Sequence, residues 1–259
     1  MDLGIAGRNA IVCASSRGLG RACAEALARA GVQVVLNGRD PERLARVRDE
    51  IAAATGAAIV AVAADVSSAV GREALLAALP EVDILVNNNG GPPPRDFREV
   101  DRDALIAGLE ANMIAPIALI QAVVDGMQAR GFGRIVNITS ASVKAPHAGL
   151  DLSSGARAGL TGFVAGVART VAASNVTINN LLPGSFDTDR IAALIEDQAR
   201  RTDRDAAEIR RLREQSIPAG RLGAPAEFGA ACAFLCSAEA GYITGQSILI
   251  DGGAFPGIL

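Results

Sequence analysis

The stretch Cys13-Ala14-Ser15-Ser16-Arg17-Gly18-Leu19-Gly20 follows a short apolar run and opens a helical pattern. Gly18 and Gly20 let backbone approach a ligand closely, and free N–H groups at a helix start attract anions, so this turn suits a diphosphate. Glycine pairs are common in turns; the strand before this one and the helix after it are what point to a nucleotide. Further polar groups recur where later apolar runs end: Asp65-Val66, Asn87-Asn88-Asn89-Gly90, Ser140, and Pro183-Gly184 with Thr188. Asn112 lies inside a long helical pattern. In an open α/β sheet the ligand crevice forms at such strand ends, which gives Ser140 a functional rather than structural reading.

The elements that would position these groups alternate along the chain. Asn9 to Ala14 reads as a strand, Leu19 to Ala30 as a helix stopped by Gly31, and Val32 to Leu36 as a second strand. Pro41 to about Ala54 is helical, Ala58 to Ala63 a strand, Ser67 to Leu79 a helix and Val82 to Val86 a strand. From Asp101 to about Ala129, Leu105, Leu109, Met113, Ile117, Ile120, Val124 and Met127 recur at helical steps and predict one long helix with a single buried face. Strands follow at Arg134–Ile138, Val176–Leu182 and Ser247–Ile250, with helices around Leu160–Val171 and Pro225–Cys236. Residues 188–215 carry interspersed charge and read as mobile, solvated helices outside the core, on the substrate side. The pattern predicts an α/β fold: one doubly wound, seven-stranded parallel sheet covered by helices on both faces, with residues 1–259 forming a single domain.

Composition narrows the function classes. With 259 residues, 50% apolar and 20% charged, the chain can bury a large core and is not disordered. The 25 basic and 28 acidic residues leave a formal charge of −3, and no basic block forms a nucleic-acid footprint. Cysteines at 13, 23, 232 and 236 form no C-x-x-C pair and have no adjacent histidine, so they read as small core residues, with no metal site expected. Met1-Asp2-Leu3-Gly4 leads almost directly into the first strand without a signal-like segment, and no apolar run is expected to reach the roughly 20 residues that cross a bilayer. The expectation is a cytoplasmic protein without membrane or nucleic-acid partners.

Over nearly its whole length the chain resembles the short-chain dehydrogenase/reductase family, and within it the 3-oxoacyl-acyl-carrier-protein reductases. Their tail is similar to Arg221-Leu222-Gly223, Tyr242-Ile243-Thr244-Gly245-Gln246 and Asp251-Gly252-Gly253. The resemblance implies a Rossmann-type fold in which Ser15, Ser16, Arg17, Gly18, Leu19 and Gly20 hold a cofactor diphosphate. It further implies that Asp65 and Val66 hold the adenine, that Asn87, Asn88, Asn89 and Gly90 floor the adenosine side, and that Pro183, Gly184 and Thr188 hold the nicotinamide. Gly38 occupies the position that would be acidic to bind a free ribose hydroxyl, while Arg17 and Arg39 flank it and suit a 2′-phosphate. NADP(H) is therefore favoured over NAD(H). The competing reading has Arg39 merely starting the next helix and Arg17 solvated.

Departures from the family pattern fall at the reaction centre. The family places a tyrosine thirteen residues after the serine and a lysine four further on. Here Ser153 and Arg157 stand at those positions, and the sole tyrosine, Tyr242, lies in the tail. Ala14 replaces the first glycine of the turn and Asn89 the usual alanine of the Asn-Asn-Ala-Gly stretch. Hydride delivery to a carbonyl develops negative charge on oxygen, which needs hydrogen-bond donors and then a proton. A serine is a far weaker acid than a phenol, and an arginine keeps its proton, although it can still grip a ribose. His147 and Lys144 lie in the same post-strand loop and are candidate substitutes for the proton donor; the alternative is that both are ordinary loop residues.

Two functions fit. One is an NADP(H)-dependent carbonyl/alcohol oxidoreductase in which Ser140 and Asn112 polarise the substrate oxygen and Ser153, His147 or water supplies the proton. The other is a nucleotide-binding sensor, or a catalytically silent partner of an active homologue. The resemblance also implies a homodimer or homotetramer paired through the helices 101–129 and 153–173. Substrate selection would rest with residues 188–215 and the Pro92-Pro93-Pro94 loop.

Overall fold

The computed structural model describes residues 2–257. Seven strands form one parallel sheet: β1 (Asn9–Val12), β2 (Gln33–Gly38), β3 (Ile59–Ala63), β4 (Ile84–Asn87), β5 (Gly133–Ile138), β6 (Val176–Pro183) and β7 (Ser247–Ile250). Their spatial order is β3-β2-β1-β4-β5-β6-β7. The order reverses direction between β1 and β4, and this switch point opens a crevice beyond the carboxyl ends of the strands.

Alternate side chains on each strand enter two separate cores, as expected of a sheet buried on both faces. Ala10 and Val12 of β1 pack with Cys23, Leu27, Phe228 and Cys232, which belong to α1 (Gly18–Arg29) and, through Phe228 and Cys232, the C-terminal helix Pro225–Leu235. α2 (Pro41–Thr55) adds Leu44, Val47 and Ile51 to the same side. Ile11 and Cys13 face the other core, where α3 (Ala69–Ala77) contributes Leu75. All four cysteines are buried and free, in accord with a core role. Helix starts follow local chemistry: Asp40 accepts from the Arg43 N–H at 3.0 Å with Pro41 as first helical residue, and Ser68 accepts from the Gly71 N–H at 3.0 Å.

The long helical segment departs from expectation. It is continuous from Arg102 to Arg130 but comprises α4 (Arg102–Leu109), a π turn (Glu110–Ile114) and α5 (Ala115–Arg130). The wider turn rotates the buried face, so Ile120 and Met127 are buried while Leu105 stays 46% exposed, and the single stripe does not form. The segment also has the length and hydropathy of a membrane-crossing helix, contrary to the expectation that no such stretch exists. Its apolarity has a local use: Leu119, Ile120, Val123 and Met127 pack into the second core, together with Leu160 and Val164 of α6 (Asp151–Val171).

A row of buried amides runs across the middle of the sheet. Asn87, Asn137, Asn180 and Ser247 are register partners on β4, β5, β6 and β7. Asn87 Nδ2 donates to Asn137 Oδ1 (2.9 Å), Asn137 Nδ2 to Asn180 Oδ1 (3.0 Å) and Asn180 Nδ2 to Ser247 Oγ (3.2 Å). Each amide N–H group in this row donates to the next strand, which fixes the register toward the carboxyl ends of the strands. The charged stretch after β6 forms α7 (Asp189–Thr202) and α8 (Ala206–Gln215), and α9 (Pro225–Leu235) closes the fold against α1. Ile195, Ala199 and Ile209 give α7 and α8 a small core of their own.

Candidate active site

The turn after β1 is held by the neighbouring strands. Ser15 Oγ donates to the Val12 carbonyl (2.8 Å), and Ser15 N donates to the Asn37 carbonyl (2.7 Å). Asn37 Oδ1 accepts from Ala14 N (3.1 Å), while its amide donates to the Ala64 carbonyl at 3.0 Å, so one buried side chain fixes the turn against the end of β3. Asn88 Nδ2 donates to the Ala14 carbonyl (3.2 Å) and closes the turn from the β4 side. Gly18 has φ +57°, and a Cβ at Gly20 would lie 2.4 Å from the Ala14 carbonyl oxygen. Backbone therefore lines a cradle at the start of α1, which fits a dinucleotide diphosphate.

Ala14 holds φ +44°, in the left-handed region that costs a non-glycine residue about 1–2 kcal/mol. Ala14→Gly relieves that strain and adds back some unfolded-chain entropy, so we expect a net gain of about 0.5–1 kcal/mol in thermal unfolding. A lowered midpoint would mean that the methyl group contributes packing that outweighs the strain.

Around the expected adenosine end, Gly38 is buried beneath Ser16, whose Oγ would lie 3.1 Å from an added Cβ. A side chain at 38 would crowd Ser16 and Leu44. Arg39 is exposed, and Arg17 faces Asp189 at 3.9 Å with most of its side chain in solvent. Asp65 is exposed and its carboxylate accepts from Ser67 N (2.9 Å), whereas Val66 is buried. Arg72 ties this loop to the π turn, donating to the Val66 and Ser67 carbonyls and to Glu110 Oε1 at 3.3 Å.

Beyond β4, Asn89 does what an alanine cannot. Its amide donates to Ser67 Oγ (3.0 Å) and to the Ala111 carbonyl in the π turn (3.2 Å), and its Oδ1 accepts from Gly90 N (2.8 Å). The π turn also carries Asn112, which is only 2% exposed and donates to the Gly108 carbonyl at 3.3 Å. Asn112 Oδ1 and Asn87 Oδ1 are buried without a partner among the described residues.

At the reaction end, Ser140 Oγ accepts from Ser142 N (3.1 Å), which leaves its own proton available to a ligand. Ser153 and Arg157 sit one turn apart on α6, and Arg157 Nε donates to Ser153 Oγ (3.1 Å). Arg157 Nη1 donates to the Ile138 carbonyl (2.7 Å) and Nη2 to the Asn89 carbonyl (3.3 Å), so one guanidinium links α6, β5 and the post-β4 loop. Burial, with the nearby Arg190 charge adding to it, pushes the Arg157 pKa down to about 10, which keeps the group cationic at neutral pH.

His147 is exposed and its side chain makes no hydrogen bond among the described residues; Lys144 is half-buried. Pro183 ends β6 and Gly184 N donates to the Ile250 carbonyl (2.9 Å), and the Thr188 methyl lies 3.7 Å from a Cβ added at Gly18, so the post-β6 loop meets the β1 turn. Sequence reasoning passed over Asn37, the Asn137–Asn180 pair and Arg190. The first three show themselves only as polar residues interrupting apolar strand runs, and Arg190 is masked by the charged stretch around it. Among the described residues no cluster suited to a metal ion occurs.

A family profile described as enoyl-(acyl carrier protein) reductase matches residues 13–254. The 3-oxoacyl-[acyl-carrier-protein] reductase of Vibrio cholerae is 33% identical over 257 residues, spanning 98% of this chain and 99% of the relative. The chain belongs to the short-chain dehydrogenase/reductase family. Among solved structures, L-sorbose reductase of Gluconobacter frateurii in complex with NADPH and L-sorbose is 28% identical, with a TM-score of 0.94 over 100% of both chains. A 3-oxoacyl (acyl-carrier-protein) reductase of Agrobacterium tumefaciens with NADP bound is 32% identical, with a TM-score of 0.88 over 97% of this chain and 95% of that one. Short-chain dehydrogenases/reductases are NAD(P)-dependent oxidoreductases, and this member carries a parallel sheet with a switch-point crevice and a glycine turn after β1.

Proposed function

We propose that the chain is an NADP(H)-dependent oxidoreductase of carbonyl/alcohol chemistry, 3-oxoacyl reductase-like, working through two serine hydroxyls and a buried guanidinium. One observation carries the reading: Ser140 and Ser153 each accept from an N–H donor, at 3.1 Å in both cases, while their own protons stay uncommitted among the described residues. Hydroxyls polarised in this way are good hydrogen-bond donors to a carbonyl oxygen. NADP(H) is supported by glycine in place of an acid at position 38, by Arg17 and Arg39 near it in sequence, and by the relatives whose structures hold NADPH or NADP. The cradle residues are Ser15, Ser16, Arg17, Gly18, Leu19 and Gly20, with Asp65, Val66 and Asn87–Gly90 along the adenosine side and Pro183, Gly184 and Thr188 at the nicotinamide end.

When bound, the reduced cofactor supplies hydride to the substrate carbonyl carbon. Ser140 and Ser153 donate to the oxygen as charge develops there, and Arg157 adds a fixed positive field from behind Ser153. Serine is too weak an acid to give up its proton for good, so water delivers the proton, with His147 at the loop rim as the other candidate. Asn112, being buried, acts by holding the π turn that presents Ala111 to Asn89. Leu105, Ile106, Ile114 and Phe163 leave apolar surface on the helices expected to pair in a homodimer or homotetramer.

The test is NADPH oxidation with a panel of small ketones and oxo compounds, native against Ser140→Ala. We expect turnover with NADPH in preference to NADH and a loss of about 10²-fold in Ser140→Ala, the size of one oxyanion donor. A Ser140→Ala variant as active as the native chain would remove the proposed site. Inertness of the native chain across the panel, with NADPH still bound, would favour the silent-partner reading.

A further inference from the structure

The reaction end holds more positive charge than carbonyl reduction requires. Arg157 is buried, its three hydrogen bonds all go to neutral oxygens, and no carboxylate pairs with it among the described residues. One N–H remains on each of its terminal nitrogens, the pair from which a guanidinium grips an oxyanion. Arg190, in the first turn of α7, donates from Nη1 to the Gly91 carbonyl (3.4 Å), two residues beyond the Asn89 carbonyl that holds Arg157. Two guanidiniums thus converge on the 89–91 loop, one from α6 and one from α7. Arg190 also stands at the N-terminal end of a helix, where the backbone dipole favours an anion and not a cation. The acids beside it are engaged elsewhere: Asp189 faces Arg17 at 3.9 Å, and Asp187 takes both terminal nitrogens of Arg210 at 3.2 and 2.8 Å. Like charges so close repel, and the Arg190 charge joins burial in lowering the Arg157 pKa.

We infer that Arg157 and Arg190 hold an oxyanion on the substrate, a carboxylate or a phosphate ester, so that this site selects small anionic oxo compounds over neutral thioesters. The inference rests on the oxidoreductase reading above and specifies its substrate class. An anion seated between the two guanidiniums would neutralise charges that the fold otherwise leaves opposed, and the crevice would concentrate such substrates from solution.

The test follows bound NADPH fluorescence while the native protein is titrated with 2-oxo and 4-oxo acids, their methyl esters and an oxoalkyl phosphate. We expect the acid or the phosphate to bind at least about tenfold more tightly than the ester at low salt, the worth of one charge-assisted hydrogen bond, and the tighter arm identifies the oxyanion. In Arg190→Gln this preference falls about tenfold with NADPH affinity unchanged, while Arg190→Lys retains part of it. Equal binding of acid and ester by protein that holds NADPH overturns this inference alone. Loss of NADPH affinity in Arg190→Gln, with acid preference intact, also overturns it and makes Arg190 a cofactor clamp. Failure of the native chain to bind NADPH overturns the oxidoreductase reading and this inference together.

Discussion

Ser153→Tyr combined with Arg157→Lys raises turnover of 3-oxoacyl thioesters by about 10²–10⁴-fold over the native chain, the range that general acid–base help contributes. The phenol brings a proton donor with an ordinary pKa of about 10, lowered further by a neighbouring cation, where the native serine has no comparable acidity. The lysine is the second half of the change. A guanidinium keeps its proton even at this buried site, where its pKa is about 10, whereas an amine can take part in a relay. Either change alone is expected to do much less. Tyrosine alone would sit against the guanidinium that now donates to Ser153 Oγ, and lysine alone would lose the fork that serves the Ile138 and Asn89 carbonyls. Steady-state rates with NADPH give the answer. A double variant that binds NADPH and stays as slow as the native chain would mean that the two positions are not where the chemistry is limited.

Gly20→Ala is expected to remove NADPH binding, with a loss of more than about 10² in affinity and about 1–3 kcal/mol in stability. The added Cβ would stand 2.4 Å from the Ala14 carbonyl oxygen and 2.7 Å from Asn88 Nδ2, and the first contact is backbone that cannot swing aside. Relief requires moving the start of α1, which is packed along α9 and shares the first core through Cys23 and Leu27. The cradle then opens and its N–H groups lose their common aim. Thermal unfolding and NADPH fluorescence measure the two effects separately. Affinity within twofold of the native value would show that the diphosphate does not sit over this turn.

The alternation of strands and helices was readable because each strand is buried on both faces and each helix carries a polar side. Asn9–Val12, Pro41–Thr55 and Ser247–Ile250 fall close to where apolar runs and turn residues put them. The π turn was not readable. Its signal is a shift of the helical phase near Asn112, and Leu105 and Leu109 fit a single stripe well enough in one dimension to hide it. The amide row across β4 to β7 was hidden for a related reason: Asn137 and Asn180 lie 43 residues apart in sequence, and only the register brings them to 3.0 Å. Ser153 and Arg157 stood out as departures from a family pattern, yet the contact of Arg157 with Asn89 depends on a loop whose path the sequence does not fix. Arg190 is the clearest omission. One arginine in a run of interspersed charges looks like surface, and only its convergence with Arg157 on the post-β4 loop sets it apart.

The whole account depends on the dinucleotide crevice proposed at the switch point of the sheet, with Ser153 and Arg157 beside it. Titrating the native protein with NADPH reads this directly, because the chain has no tryptophan to compete with cofactor fluorescence. The account predicts saturable binding that NADP+ reverses far more effectively than NAD+. Fluorescence that never saturates, together with no protection against thermal unfolding by either cofactor, would contradict it.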